Sequence, residues 1–534
     1  MLKIFWNKLA TTVTGGAVLI ATFSIVSKIL GLFRDRLLAS YFGAGDVLDA
    51  YYAAFRLPDL IFNTLVLGAL ASAFIPVFTK IWLNDKSKAI ELANTVLNYL
   101  VLILLVVGLL VLVFAPQVVA FITPGFTGAK LAQTIALTRI MLLSIVFFGV
   151  SNVVGGLLNS LKKFFSFSLA PVFYNLGIIF GIVVFYQLFG VMGLAWGVVL
   201  GSVLHLLVQL PEAWRSGWSY RMIFVISTEA KQVLKLMIPR TLGLMANQVN
   251  QIIMTMIAST LAVGSIAVFN LANNLQSFPI SIFGVSLAVA AFPVFSETLS
   301  NGRPEQFKKV FSLHFRRVLF LIIPLSVLII LLRAQIVRVV LGSGSFDWSD
   351  TYYTAQTLGW FIISLFAQST IPMLARSFYA MEDTKTPVMI SLGAIAVNIA
   401  GAYFFGRPMG APGLALAFSI SAIVNMIALM MVLRLRLGYL DDKKIIWSTF
   451  KISVNALLSG AGVYLMLRVM ADFVNMRTFV GIFLQGLVAG IVGLIIYLAL
   501  SFFTNCEEIV IVKRFLQKYL RFLIKDKKTP GDPV

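Results

Sequence analysis

Lys28-Ile-Leu-Gly-Leu-Phe-Arg34-Asp35-Arg36 and, after a short Gly-rich turn, Asp49-Ala-Tyr-Tyr-Ala-Ala-Phe-Arg56-Leu-Pro58-Asp59-Leu-Ile-Phe-Asn63 place ionisable side chains inside runs that otherwise read as membrane helices. A charge at the middle of a bilayer helix costs about 2.5–3.5 kcal/mol even on the lenient insertion scale. Such a cluster persists where it lines a wet cavity, pairs internally or sits near the interface. The reading adopted here is the polar end of a substrate path, with Arg34, Asp49 and Arg56 as its main candidates and Lys28 and Asn63 beside them. Asp49 and Arg56 are seven residues apart, two turns along one helical face, which predicts a shared cavity wall. Asp59 follows Pro58 and reads as a cap for a helix restarting there. Asp35, next to Arg34, reads as local charge neutralisation.

The rest of the chain fits that membrane reading. Hydrophobic residues make up 60% and charged residues only 12%, with mean hydropathy +0.96; soluble domains carry about 25% charged residues. Apolar runs long enough to cross a bilayer, about 20 residues each, recur from end to end. The expected fold is an all-α polytopic membrane protein with fourteen transmembrane helices. They fall near 12–38, 47–79, 89–115, 133–161, 167–188, 191–210, 233–262, 265–296, 308–332, 352–381, 386–406, 411–435, 446–469 and 478–504. Pro58 in span 2 and Pro279 in span 8 each remove a backbone hydrogen bond and mark kinks or hinges.

Charge sets the orientation. The net charge of +21 resides in loops between spans, among them Lys80, Lys86 and Lys88, then Lys162 and Lys163, and later Arg303, Lys308 and Lys309. The alternate loops are nearly bare. Both termini are therefore expected in the cytoplasm, which requires an even span count. The same placement argues against a nucleic-acid partner. Arg514, Lys518, Arg521 and Lys525 form a basic stripe after span 14 that reads as an amphipathic helix on the anionic leaflet or as a solvated tail.

An internal repeat runs through the first twelve spans. Ile75-Pro-Val-Phe78 recurs 217 residues later as Phe292-Pro-Val-Phe295, and Gln117-Val-Val recurs 218 later at Gln335. Pro171-Val recurs 216 later at Pro387, and Gly190-x-x-Gly193-Leu-Ala recurs 220 later at Gly410-x-x-Gly413-Leu-Ala. Four matches in order at nearly constant offset imply duplication. Six spans per repeat give two parallel six-helix repeats plus two C-terminal helices. The expected divisions are 1–211, 212–436 and 437–504, with a basic tail over 505–534.

No enzyme motif is present. A phosphate loop ending in Gly-Lys-Ser/Thr is missing, and the lone Cys506 with two histidines offers no thiolate or histidine metal site. Asn247, Asn250, Asn270, Asn273 and Asn274 read equally as a polar cavity wall and as interhelical hydrogen-bonding groups. Arg376 reads as a helix-end anchor. Asn250 and Asn398, both neutral, do not complete a sodium site, and no cofactor is expected.

Several of these stretches carry a specific resemblance. Leu30-Gly-Leu-Phe-Arg34-Asp35, Phe42-Gly-Ala-Gly45, Asp49 through Pro58, Gly68 through Pro76, Phe278-Pro279 and Phe378 through Pro387 are similar to the signature of the MurJ/MviN lipid II flippases, a branch of the superfamily that includes MATE exporters. The resemblance implies fourteen helices and a bacterial cytoplasmic (inner) membrane location. It also implies translocation of lipid II, an undecaprenyl-linked glycolipid, from the cytoplasmic to the outer leaflet by alternating access between the two bundles. Membrane potential or an ion gradient would drive the cycle, with membrane lipids and cell-wall synthesis proteins as partners. Arg34 matches the family's first-helix arginine, Lys28 stands where an arginine is usual, and Asp49 and Arg56 match a carboxylate and a basic residue. The family's following Arg-Arg pair and glutamate read Phe62, Asn63 and Leu67 here, and its span 8 arginine reads Asn274. Another polyprenyl-linked oligosaccharide flippase is the alternative; a MATE-type drug antiporter and a non-transporting cell-wall scaffold stand behind it.

Overall fold

The computed structural model describes residues 13–67, 74–225 and 227–510, and among them there are helices and turns but no strand. The tail carrying Arg514 to Lys525, and much of the Gly68–Pro76 motif, lie outside the described residues. Ten helices are long and apolar enough to cross a membrane, and the pair Trp348–Ile362 and Leu365–Ala380, bent by 45°, makes an eleventh if taken as one span. These account for the spans expected third to sixth and eighth to fourteenth. The segments expected as spans 1, 2 and 7 are helical where described and fall outside that set. They carry most of the charged and amide residues discussed below.

Local chemistry places the helix starts. Asp85 accepts a hydrogen bond from the Lys88 amide to cap Lys86–Val113, Ser227 does the same for Thr228–Ser259, and Thr478 for Phe479–Phe503. Apolar side chains face outward along these helices: Leu102, Leu105, Leu109 and Leu110 are all exposed. That surface requires lipid rather than water.

Both prolines act on the backbone, through a device that periodicity does not reveal. The helix entered at Asp46 is interrupted at Phe55, resumes over Arg56–Ile61 and passes into a π-helical stretch, Phe62–Leu67. The helix Ser265–Pro279 likewise passes into a π-helical stretch, Ile280–Val285. A proline cannot donate its ladder bond, and the wider π turn re-seats the groups left over.

The chain packs as two compact units. One comprises the described residues of Met1–Leu275 with Val340–Thr357 and Ile395–Ala417; the other comprises those of Gln276–Val339, Leu358–Ala394 and Phe418–Val534. In the first, glycines let helices touch backbone to backbone. A Cβ on Gly177 would lie 2.3 Å from the Gly201 Cα, and one on Gly181 would lie 2.4 Å from the Gly197 Cα, the small-residue packing favoured in membranes. The repeated Gly-x-x-Gly motif has the same backbone geometry in both copies. Gly190 and Gly410 take φ of +58° and +69°, and a Cβ on Gly193 or Gly413 would meet the carbonyl oxygen of Phe185 or Phe405 at 2.3 or 2.1 Å. Also in this unit, the connecting stretch 219–224 is tied to the helix Lys86–Val113. Asn94 donates to the Ser219 carbonyl, Asn98 to those of Arg221 and Ile223, and the Tyr99 hydroxyl to that of Phe224.

In the second unit, Ser459 donates to the Gly493 carbonyl at 2.6 Å and fixes the crossing of Asp442–Phe473 with Phe479–Phe503. Arg316, on the helix Pro304–Val340, is buried and ion-paired to Glu508, which is also buried, and to Glu507 at 3.1 Å. Lys444 joins Glu507 at 3.1 Å.

Candidate functional site

Within the first unit the segments richest in polar residues converge on a cavity of about 350 Å³. Arg34, Arg56, Asp59 and Asn63 reach it from the first two expected spans. Asn270, Asn273 and Asn274 reach it from the helix Ser265–Pro279, and Tyr174 from Phe164–Phe180. Gln248 and Gln251 line it too; their only signal in the sequence is an amide inside an apolar run.

The two arginines are held differently. Arg34 donates from Nε and Nη2 to Asp35 Oδ1 at 3.1 and 2.8 Å, and from Nη1 to Asn175 Oδ1 at 3.2 Å. Asn175 is itself fixed by donating to the Ser27 hydroxyl at 3.1 Å and the Pro171 carbonyl at 3.1 Å. Asp35 is buried and takes a further hydrogen bond on Oδ2 from Asn274 at 2.9 Å. It neutralises Arg34 as the sequence predicts, but in the interior. Arg56 has neutral partners instead: Nε donates to Thr255 Oγ1 at 2.7 Å and Nη2 to Asn270 Oδ1 at 2.8 Å. Thr255 and Asn270 pass their own hydrogens to the Gln251 and Ile266 carbonyls, which turns their oxygen lone pairs toward the guanidinium. No ion pair to Arg56 exists among the described residues. Its charge is oriented by neutral groups, with no carboxylate in contact.

Other candidates lie elsewhere. Lys28, half-buried on the unbroken helix Val13–Phe42, is not among the residues that line the cavity. Asp49 does not share a wall with Arg56: the interruption at Phe55 ends the two-turn register, and the Asp49 carboxylate caps another helix. It accepts the Gly264 and Ala267 amides at 2.8 and 2.9 Å, and Lys130 closes on it at 2.8 Å. Helix N-terminal amides and an ammonium satisfy a buried carboxylate well, and neither partner is visible from the sequence around Asp49. Asn250 accepts from Asn398 at 3.0 Å, both buried, so this pair takes the interhelical role. Asn247 is exposed. Arg376 bonds its own helix, at the Pro372 carbonyl.

A second cavity of about 320 Å³ adjoins the first and shares Phe55, Asp59, Asn63 and Tyr174 with it. Its other walls are mainly apolar, including Pro58, Phe62 and Phe148, with His205 at one side. His205 meets the Ser151 hydroxyl at 2.7 Å. Among the described residues no cluster of three or more His, Cys, Asp or Glu side chains could hold a metal.

The arrangement can orient an anionic or strongly polar group between one guanidinium without a touching carboxylate and several amides. A family model described as lipid II flippase MurJ matches residues 38–484. The lipid II flippase MurJ of Burkholderia cenocepacia is 30% identical over 476 residues, covering 86% of this chain and 90% of that protein. The probable lipid II flippase MurJ of Buchnera aphidicola (subsp. Acyrthosiphon pisum) is 31% identical over 416 residues, covering 77% and 81%. A solved structure of lipid II flippase MurJ in an inward closed conformation superposes with TM-score 0.77 at 25% identity, covering 91% of this chain and 99% of that one. An inward-facing MATE transporter of the MOP superfamily, 18% identical over 80% of this chain and 99% of its own, superposes with TM-score 0.66 and shares the fold. A model match over most of the chain, relatives at 30% identity or above across most of their length, and a common fold lead to one conclusion: the chain belongs to the lipid II flippase MurJ family.

Proposed function

We propose that this protein carries lipid II from the cytoplasmic to the outer leaflet of the bacterial inner membrane by alternating access. It is a transporter and not an enzyme. The observation that carries the reading is the cavity in which Arg56 is held by Thr255 and Asn270 with no carboxylate paired to it. Guanidinium groups bind phosphates through parallel charge-assisted hydrogen bonds, and the pyrophosphate of a lipid-linked sugar offers the matching oxygens. In this reading Arg34, Arg56, Asn63 and Asn274 contact the headgroup, while Lys28 and Asp49 act from outside the cavity. Pro58 and Pro279 are the hinges.

The finer architecture belongs to the same proposal: fourteen spans in two parallel six-helix repeats plus two, with both termini cytoplasmic. Membrane potential or an ion gradient would drive the cycle, without a cofactor. Membrane lipids and cell-wall synthesis proteins would be its partners. Phe62, Asn63 and Asn274, standing at the family's arginine positions, favour one second reading, a related polyprenyl-linked oligosaccharide as cargo.

The test is lipid II exposure on the outer leaflet of cells depleted of their own flippase and supplied with this gene. Exposure restored by the wild type and lost in Arg56→Ala at equal membrane level is the expected result. Correct insertion with no lipid II exposed, while another polyprenyl-linked glycan does appear outside, would transfer the assignment to the second reading.

A further inference from the structure

Asp59 makes no ion pair with either cavity arginine. It lies on the wall common to both cavities and, among the described residues, is the only carboxylate lining either. It is not the helix cap that its place after Pro58 predicts: Arg56–Ile61 has no side-chain cap and runs on into the π stretch. Among the described residues its carboxylate accepts no hydrogen bond and makes no ion pair. Its oxygens are thus left to whatever occupies the cavity.

The charges facing it are few. Arg56 precedes it by three residues on the same helix. Tyr51 and Tyr52 face it from Asp46–Ala54, Tyr174 from Phe164–Phe180, and Arg34 with its partner Asp35 from Val13–Phe42. His205 stands across the second cavity. Among the described residues, the helices Gly128–Ser160 and Thr228–Ser259 bring only neutral side chains to these walls, Asn152 and Gln251 among them. Asp35 already neutralises Arg34. Among the described residues the charges of Arg56 and an ionised Asp59 then sum to zero, although no carboxylate touches the Arg56 guanidinium. With Asp59 protonated, one positive charge remains.

We propose that Asp59 is a proton-binding site of the transport cavity, protonated while an anionic lipid-linked pyrophosphate is bound and deprotonated after it leaves. The inference rests on the lipid-linked substrate proposed above. As the anion binds, a hydronium ion or buffer acid in the aqueous phase gives up one proton, its O–H bond breaking as an O–H bond forms on an Asp59 carboxylate oxygen; on release that O–H breaks and the proton returns to water or buffer base. By linkage the two ligands favour each other equally: the anion strengthens proton binding, and the proton strengthens anion binding.

The experiment is equilibrium binding of lipid II to the full-length protein in lipid nanodiscs, from about pH 5 to about pH 8, which brackets carboxylate and histidine titration. Wild-type affinity should weaken as pH rises, approaching about tenfold per pH unit, the limit for one coupled proton. Asp59→Asn, a permanent mimic of the protonated acid, should bind at the low-pH strength throughout, while Asp59→Glu should keep a slope. An equal slope in wild type and Asp59→Asn, or none in wild type, overturns the proposal and leaves the flippase reading standing. Absence of lipid II binding by folded wild type at every pH would remove that reading itself, and the proposal with it. Should Asp59→Asn fail to fold, dye-monitored proton uptake by the wild type on adding lipid II decides: about one proton supports the site, and none overturns it.

Discussion

Arg56 and Arg316 are both arginines set into apolar helical segments, and their surroundings treat them in opposite ways. Around Arg316 the chain supplies Glu507 and Glu508, so the charge is cancelled where it lies and the cluster ties Pro304–Val340 to the turn after Phe503. Around Arg56 it supplies a hydroxyl and an amide, which hold the guanidinium in place and leave its charge in force. A buried cation met by carboxylates serves the fold. One met by neutral acceptors is kept for something that arrives.

That contrast can be broken most forcefully at Arg316. Arg316→Ala strands Glu508 in the interior and should cost about 3–5 kcal/mol, read as loss of monodisperse protein and a lowered unfolding temperature. Replacing both partners, Arg316→Leu with Glu508→Leu, should recover most of that loss, because removing a buried pair together is often neutral. If the double variant is as damaged as the single one, the pair has a role beyond neutralisation.

Arg56→Ala should invert the pattern. Loss of charge-assisted contacts of about 1.5–3 kcal/mol predicts that lipid II transport falls by about 10- to 100-fold, with unfolding temperature nearly unchanged. Arg56→Lys should recover only part of the activity, since an ammonium lacks the planar fork. A large stability loss in Arg56→Ala would place Arg56 with Arg316, among the structural arginines.

The smallest effect belongs to an ion pair near the surface. Asp383 accepts the Thr386 amide and hydroxyl at 3.0 and 2.6 Å and pairs with Arg436 at 2.5 Å. The Thr386 bonds, then Arg436, hold its carboxyl down to about 2. Because the folded value lies below the ordinary one of about 3.9, its stabilisation is complete above that value and is lost as pH falls toward 2. Asp383→Ala should therefore cost about 1 kcal/mol, as loss of a helix cap does, in melts at neutral pH, and the gap from wild type should close in strong acid.

The helical membrane fold was legible because bilayer thickness forces apolar runs of characteristic length. Arg34 and Arg56 were legible for the converse reason: a charge inside such a run is expensive and requires an explanation. Asp49 shows where that logic stops. Its partners are Lys130, 81 positions on, and backbone amides at Gly264 and Ala267 that every sequence possesses. Nothing near Asp49 announces a helix N-terminus waiting for it. Asp35 was legible as the neutralising neighbour of Arg34, while its burial was not, because burial depends on helices distant in sequence. Pro58 and Pro279 announced irregular backbone, while the π stretches after them depend on how the freed carbonyls are re-seated.

The four hydrogen bonds that fasten residues 219–224 to Asn94, Asn98 and Tyr99 have a practical consequence. The seam between the sixth and seventh expected spans is already stitched to the third, Lys86–Val113. A gene divided directly after Val225 would give a leading fragment whose final stretch has a bonded place on its own polypeptide. This makes the seam a better point for split-protein reconstitution than for inserting a tag, which would have to unpick it.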